Sequence, residues 1–226
     1  MRAIVVALML LAAWIAPAVA RDPVGTECYG DSIDVDLTGR PGIPATHLRI
    51  PIAFFPSIAI NDGSASPPDP MYQCMPEPIT ADSVFLIFNH RAVPELGFTE
   101  GLSLISLELR IGAAGWNQAL VPQMDAHIRK YLDAGVSVVM PNGFTKLFPT
   151  PTESGQYLSP ETYREPGGRR LEIQCGGMVF ITQCDTSHGT HEGLWVSYRF
   201  DYARVDPMRW RELDMAVIEA GARLVR

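Results

Sequence analysis

The stretch "CDTSHGTHEG", Cys184 to Gly193, sets a thiol, two imidazoles and two carboxylates within nine residues. Those are the groups that hold zinc, and a zinc ion with an open position hydrolyses its substrate through a bound water. His188 and His191, three apart, share an ion only if the backbone turns both rings inward, with Asp185 as the nearest oxygen donor. Gly189 and Gly193 interrupt the run, so it lacks the helix on which H-E-x-x-H aligns its rings. An oxidised Cys184 offers no thiolate. The stretch therefore reads as a polar loop feeding a strand, and His188, His191 and Asp185 are the metal candidates that the alternative would use.

Other chemistry finds less support. Ser103 in "GLSLI" lacks the second glycine of a nucleophile elbow. His47, His90 and His127 are scattered, and Glu95 and Glu100 flank "LGFT" in a turn rather than facing across an aromatic cleft as a glycosidase pair does. Asp34 and Asp36 alternate with Ile33, Val35 and Leu37 as the wet side of a strand. No G-x-G-x-x-G, P-loop or EF-hand spacing occurs. No catalytic residue, cofactor-binding residue or cofactor is assigned.

The elements that position these groups follow from hydrophobic period. "SVFLIF" (83–88) reads as a buried strand. In "LSLISLELRI" Ile105, Leu107, Leu109 and Ile111 share one face, opposite Ser106, Glu108 and Arg110. "NQALVPQMDAHIRKYLDAG" (117–135) switches to a helical period through Leu120, Met124, Ile128, Tyr131 and Leu132, with Pro122 placed in its first turn. "VSVVM" returns as a strand into the turn "PNG", and residues 148–168 read as loop. "RRLEIQC" and "LWVSYRFDY" are strands, the second with Leu194, Val196, Tyr198, Phe200 and Tyr202 on one face. Asp206 and Pro207 cap a last helix whose stripe is Trp210, Leu213, Val217, Ala220 and Leu224. The proline-rich stretch from Pro41 to Pro70 makes only short edge strands around "HLRIPIAFF" and "IAI". The expectation is one α+β domain over 21–226, a mainly antiparallel sheet with helices on one face, stapled by disulfides.

Residues 1–20 read as a secretory leader: Arg2, an apolar core over 3–16, Pro17, then Ala18-Val19-Ala20 as a cleavage site. That core falls short of the roughly 20 residues of a membrane span, and Cys28 stands too far beyond Ala20 for a lipid anchor. The expectation is a periplasmic or secreted chain without a membrane span. The whole chain carries 18 Lys+Arg against 25 Asp+Glu, a net charge of −7, which argues against a nucleic-acid partner.

Cys28, Cys74, Cys175 and Cys184 behind a leader suggest two disulfides, with three connectivities open. A tight hairpin at Gly176-Gly177 would leave Cys184 roughly 20 Å along the strand from Cys175's partner, whereas a disulfide holds its Cα atoms within about 7 Å. The two features exclude one another. Sequence proximity favours Cys175 with Cys184, because a short loop closes at little entropic cost, and Cys28 with Cys74 follows by elimination.

The C-terminal run of Cys175, Cys184, the aromatic strand Val196–Tyr202, then Trp210, Glu212 and Asp214 in "RWRELDMAVIEAGARLV" resembles the end of small exported bacterial proteins associated with type VI secretion. These are periplasmic immunity proteins, and the resemblance covers about a quarter of the chain. It implies a binding protein that neutralises an antibacterial effector by occlusion, with a protein partner and no catalytic group. Loops 142–170 and 185–193 are the expected contact. The alternatives are a metal-dependent hydrolase on His188 and His191, and a structural envelope protein.

Overall fold

Alternation of apolar and polar residues builds most of the molecule. The computed structural model describes residues 25–38, 44–54, 57–59, 69–70, 72–111, 116–147, 152–176, 182–190 and 193–226. The expected leader lies outside them. A short helix, Gly25–Tyr29 (α1), precedes Ser32–Leu37 (β1), which buries Ile33, Val35 and Leu37 and turns Asp34 and Asp36 outward. β1 pairs antiparallel with Thr46–Pro51 (β2) and parallel with Ile79–Ala81 (β4), forming a three-stranded sheet.

The main sheet has nine strands, and all of its pairings are antiparallel. From one edge to the other these are Ser57–Ala59 (β3), Ser83–Ile87 (β5), Ser106–Ile111 (β6), Leu194–Asp201 (β12), Gln183–Gly189 (β11), Glu172–Gly176 (β10), Gly155–Leu158 (β9), Thr145–Leu147 (β8) and Ser137–Val139 (β7). The fold is the expected α+β class. β3 and β5 match the runs "IAI" and "SVFLIF", and β6 and β12 keep their expected faces. β7 occupies the far edge, with Val138 and Val139 half to mostly exposed.

Two long helices complete the chain. Trp116–Asp133 (α2) begins early enough that Pro122 lies inside it, not in its first turn. Ile128 of α2 packs with Leu147 and Leu158, residues that alternate with Lys146 and Tyr157 along their strands. Trp210–Leu224 (α3) follows a single 3₁₀ turn, Pro207–Arg209, where Asp206 Oδ1 accepts a hydrogen bond from the Met208 amide at 2.9 Å. α3 packs on the face of β12 that carries Val196, and its C-terminal end reaches the small sheet, where Val225 bridges Leu48 and the Arg226 amide donates to the His47 carbonyl at 2.9 Å. Both sheets and α3 share one continuous core.

Both expected disulfides are present, Cys28 to Cys74 and Cys175 to Cys184. Cys175 and Cys184 sit directly opposite each other on β10 and β11, with Cα atoms 4.0 Å apart. The staple therefore spans neighbouring strands, and the intervening residues 177–181 fall outside the described set. Cys28 to Cys74 ties α1 to the segment before β4, where Tyr29 Oη donates to the Gln73 carbonyl and accepts from the Met75 amide. Two disulfides fit an oxidising compartment, and no described helix is long and apolar enough to cross a membrane.

Trp210 anchors α3. Its side chain is fully buried, with the rings of Phe144, Tyr157, Phe200 and Tyr202 at 5.0–6.0 Å around it. Edge-on aromatic contacts of this kind add to the area that burial removes from water. Replacing Trp210 with alanine should cost about 3–5 kcal/mol by chemical denaturation; a loss under about 1 kcal/mol would show that the helix stripe is not core.

Candidate functional site

The residues with the most chemical potential lie inside. The stretch expected to be a loop, 185–193, is for the most part strand: β11 runs from Gln183 to Gly189 between β10 and β12. A strand sends alternate side chains to opposite faces, so Cys184, Thr186 and His188 point into the core while Asp185 is exposed on the other side. His188 and Asp185 therefore cannot share an ion, and Cys184 is committed to its disulfide. His191, the third metal candidate, falls outside the described residues. Among the described residues no group of three or more His, Cys, Asp or Glu is placed to hold a metal.

His188 serves a carboxylate instead. Its Nε2 lies 2.8 Å from Asp214 Oδ1 on α3, and both side chains are completely buried. Tyr198 Oη of β12 donates to the same oxygen at 2.7 Å, and Tyr163 Oη donates to Asp214 Oδ2 at 2.7 Å. The other ring nitrogen of His188, Nδ1, faces the Gly189 carbonyl at 3.4 Å. One carboxylate thus joins β11, β12, α3 and the segment that carries Tyr163.

That segment, residues 159–170, closes over the cluster as a strap. Ser159 Oγ donates to the Tyr163 carbonyl and accepts from the Leu171 amide, and the Ser159 carbonyl accepts from the Arg170 guanidinium. A tight turn follows: the Gly168 amide donates to the Glu165 carbonyl and the Glu165 amide to the Arg169 carbonyl. Gly168 takes φ +84°, a conformation that side chains rarely adopt. The turn drives the Glu165 carboxylate fully inside, 3.2 Å from Arg169 Nε, while Arg169 also donates to the Ser187 carbonyl at 2.8 Å and lies over the Trp195 ring.

The electrostatics follow from burial and pairing. Desolvation opposes the charged form of Asp214, but the His188 charge and the three hydrogen bonds prevail and hold the carboxyl below its usual range. Desolvation likewise works against the His188 imidazolium, and Asp214 and Glu165 overcome it, raising the group. Glu165 has weaker help: burial pushes it up to about 7 against the pull of His188 and Arg169. Burial and the neighbouring Asp214 raise both tyrosines.

Tyr, Asp and His in one chain of hydrogen bonds have the composition of a proton relay. Its two inner members are sealed, since His188 and Asp214 show no exposed surface, while Tyr163 is partly buried. With both ring nitrogens of a protonated His188 carrying hydrogen, no lone pair remains for a metal. The arrangement positions backbone elements, since β11, β12, α3 and the Tyr163 segment meet at one carboxylate.

The outward side of the same strands is different. Cross-strand register sets Phe85, Glu108, Ser197 and Ser187 in one row over β5, β6, β12 and β11, and Ile87, Ser106, Arg199 and Asp185 in the next. Serines floor a shallow depression of about 190 Å³ whose rim includes Phe85, Glu108, Asp185 and Arg199. Among the described residues none of Glu108, Arg110, Asp185 and Arg199 joins an ion pair, whereas Arg169, Arg209, Arg223 and Arg226 each meet a carboxylate within 4 Å. Arg110 instead lies 5.5 Å from the centre of the Trp195 ring.

Compared with family models, with curated proteins and with solved structures, the chain matches none.

Much of the expected contact loop over 142–170 is packed, since Lys146, Ser159, Glu165 and Arg170 are all buried. His47 pairs with Asp36 at 2.5 Å on the exposed side of the small sheet, His90 occupies the turn after β5, and the side chain of His127 is outside the described set. Asp214 enters the sequence reading only among the residues of the resemblance and is given no role there, although an acid four residues after Trp210 and three before Val217 stands on the apolar stripe. Removing a partner from a buried ion pair strands the other charge. Asp214→Ala should therefore lose about 3–5 kcal/mol of stability in urea unfolding, and a loss under about 1 kcal/mol would contradict the hub role.

Proposed function

We propose that this chain is an exported binding protein that inhibits a partner protein by occlusion, the role implied by its resemblance to the immunity proteins of type VI secretion. The observation that carries the reading is the outward face of β5, β6, β12 and β11, where Glu108, Asp185 and Arg199 rim a serine-floored depression without forming ion pairs with one another, and Arg110 stands beside them on β6. A rigid central sheet holds these groups in fixed positions, so little entropy is lost when a partner immobilises them. The occupant this face suits is a protein surface bearing charges of both signs, because Arg110 and Arg199 seek carboxylates and Glu108 and Asp185 seek cations. Phe85, 36% exposed, supplies an apolar anchor beside them.

The metal-hydrolase alternative draws no support from His188, whose ring serves Asp214. The test of the proposal is co-expression with a toxin encoded beside this chain, followed by co-purification and titration calorimetry. A one-to-one complex that weakens at least about 30-fold in Arg199→Glu and in Asp185→Arg, both with unchanged melting, is the expected result. A complex indifferent to both variants would remove the sheet face from the account, and failure to bind or to protect cells would remove the inhibitory role.

A further inference from the structure

The strap 159–170 is fixed at its middle by one unusual contact. Its ends belong to the sheet through Ser159 and Leu171, whose backbones bond each other, but Glu165 enters the interior with Arg169 as its one ion-pair partner among the described residues, at 3.2 and 3.3 Å. Arg169 does not depend on that carboxylate, because the Ser187 carbonyl and the Trp195 ring also hold it. Glu165 can thus carry a proton without orphaning its neighbour. Every element around it presents a charged or titratable group: Arg169 and Tyr163 from the strap, His188 from β11, Tyr198 from β12, and Asp214 from α3, with Arg211 of α3 lying 5.1 Å from the Tyr163 ring.

We propose that residues 159–170 form a proton-latched strap, closed over β11, β12 and α3 while Glu165 and His188 are protonated, and opening to solvent as they lose their protons. With both protonated, the interior holds His188 and Arg169 as cations against the single anion Asp214. Once both have ionised or neutralised, two carboxylates share the buried space with Arg169 alone, and water reaches them only if the strap lifts. Lifting withdraws Tyr163 from Asp214 and Arg169 from Trp195, at the margin of the outward sheet face. The inference stands apart from the binding role, since it concerns the free chain.

The direction is fixed by linkage. Glu165, raised from 4.5 to about 7, stabilises the closed form fully below about 4.5 and loses that contribution as pH rises through about 7. His188, raised above 6.5, acts in the same direction: its contribution is complete below 6.5 and is lost as pH climbs through its folded value. Asp214, held below 3.8, contributes above that value and fails only as pH falls through its lower folded one. As pH rises through about 7 the departing Glu165 proton weakens the strap, and loss of the His188 proton acts in the same direction.

Hydrogen exchange of the mature chain, corrected for intrinsic amide rates, tests this directly. Protection of the Glu165 and Gly168 amides should fall about tenfold or more from pH 6 to pH 8.5, while β1 and β2 keep theirs, and Glu165→Gln should flatten the dependence. Carbon NMR of the wild-type Glu165 carboxyl gives a readout that needs no variant, with a midpoint expected near 7. Strap protection that does not change with pH, a variant that retains the wild-type dependence, or a carboxyl titrating near 4.5 would each overturn the proposal.

Discussion

A single buried carboxylate organises the C-terminal half of this molecule. Asp214 would be costly to bury alone, since a charge taken from water into the interior loses solvation that only close partners restore. It receives three: the His188 imidazolium and the hydroxyls of Tyr163 and Tyr198, all within 2.8 Å. Each partner comes from a different piece of chain, so satisfying the carboxylate also fixes the register of β11 and β12 beneath α3 and seats the strap above them. An apolar residue at the same position could supply area but no such directional constraint.

The rest of the architecture supports that arrangement. Trp210, one helical turn before Asp214, locks α3 among four aromatic rings and so fixes the height at which the carboxylate enters. The Cys175 to Cys184 disulfide pins β10 to β11 on the strand that carries His188. Cys28 to Cys74 ties α1 to the segment before β4, beside the small sheet of β1, β2 and β4. Polar chemistry is thereby used as scaffold on one side of the sheet, leaving the other side to display fixed charges to solvent.

Several of these elements were legible because their patterns are long and regular. β6 and β12 alternate cleanly, α3 follows a capped helical stripe, and the disulfide pairing follows from loop length. β11 was hidden by its composition: Asp185, Ser187 and Gly189 resemble a loop, and only the alternation of Cys184, Thr186 and His188 marks a strand whose inward face is partly polar. The role of Asp214 had no local signature, because its partners His188, Tyr198 and Tyr163 come from distant parts of the chain. β9, beginning at Gly155, lacks the β-branched residues that announce a strand and forms because β8 and β10 flank it. The parallel pairing of β1 with β4 joins residues more than forty positions apart and leaves no local signature. The outward face was invisible for the same reason: Glu108, Asp185 and Arg199 become neighbours only through register.

Nitrogen NMR of the His188 imidazole at neutral pH tests the central claim most directly. A ring held against a buried carboxylate should carry protons on both nitrogens and exchange them slowly. A neutral ring, or one titrating near 6.5 with rapidly exchanging protons, would contradict the account and mean that Asp214 does not hold the four elements together through an ion pair.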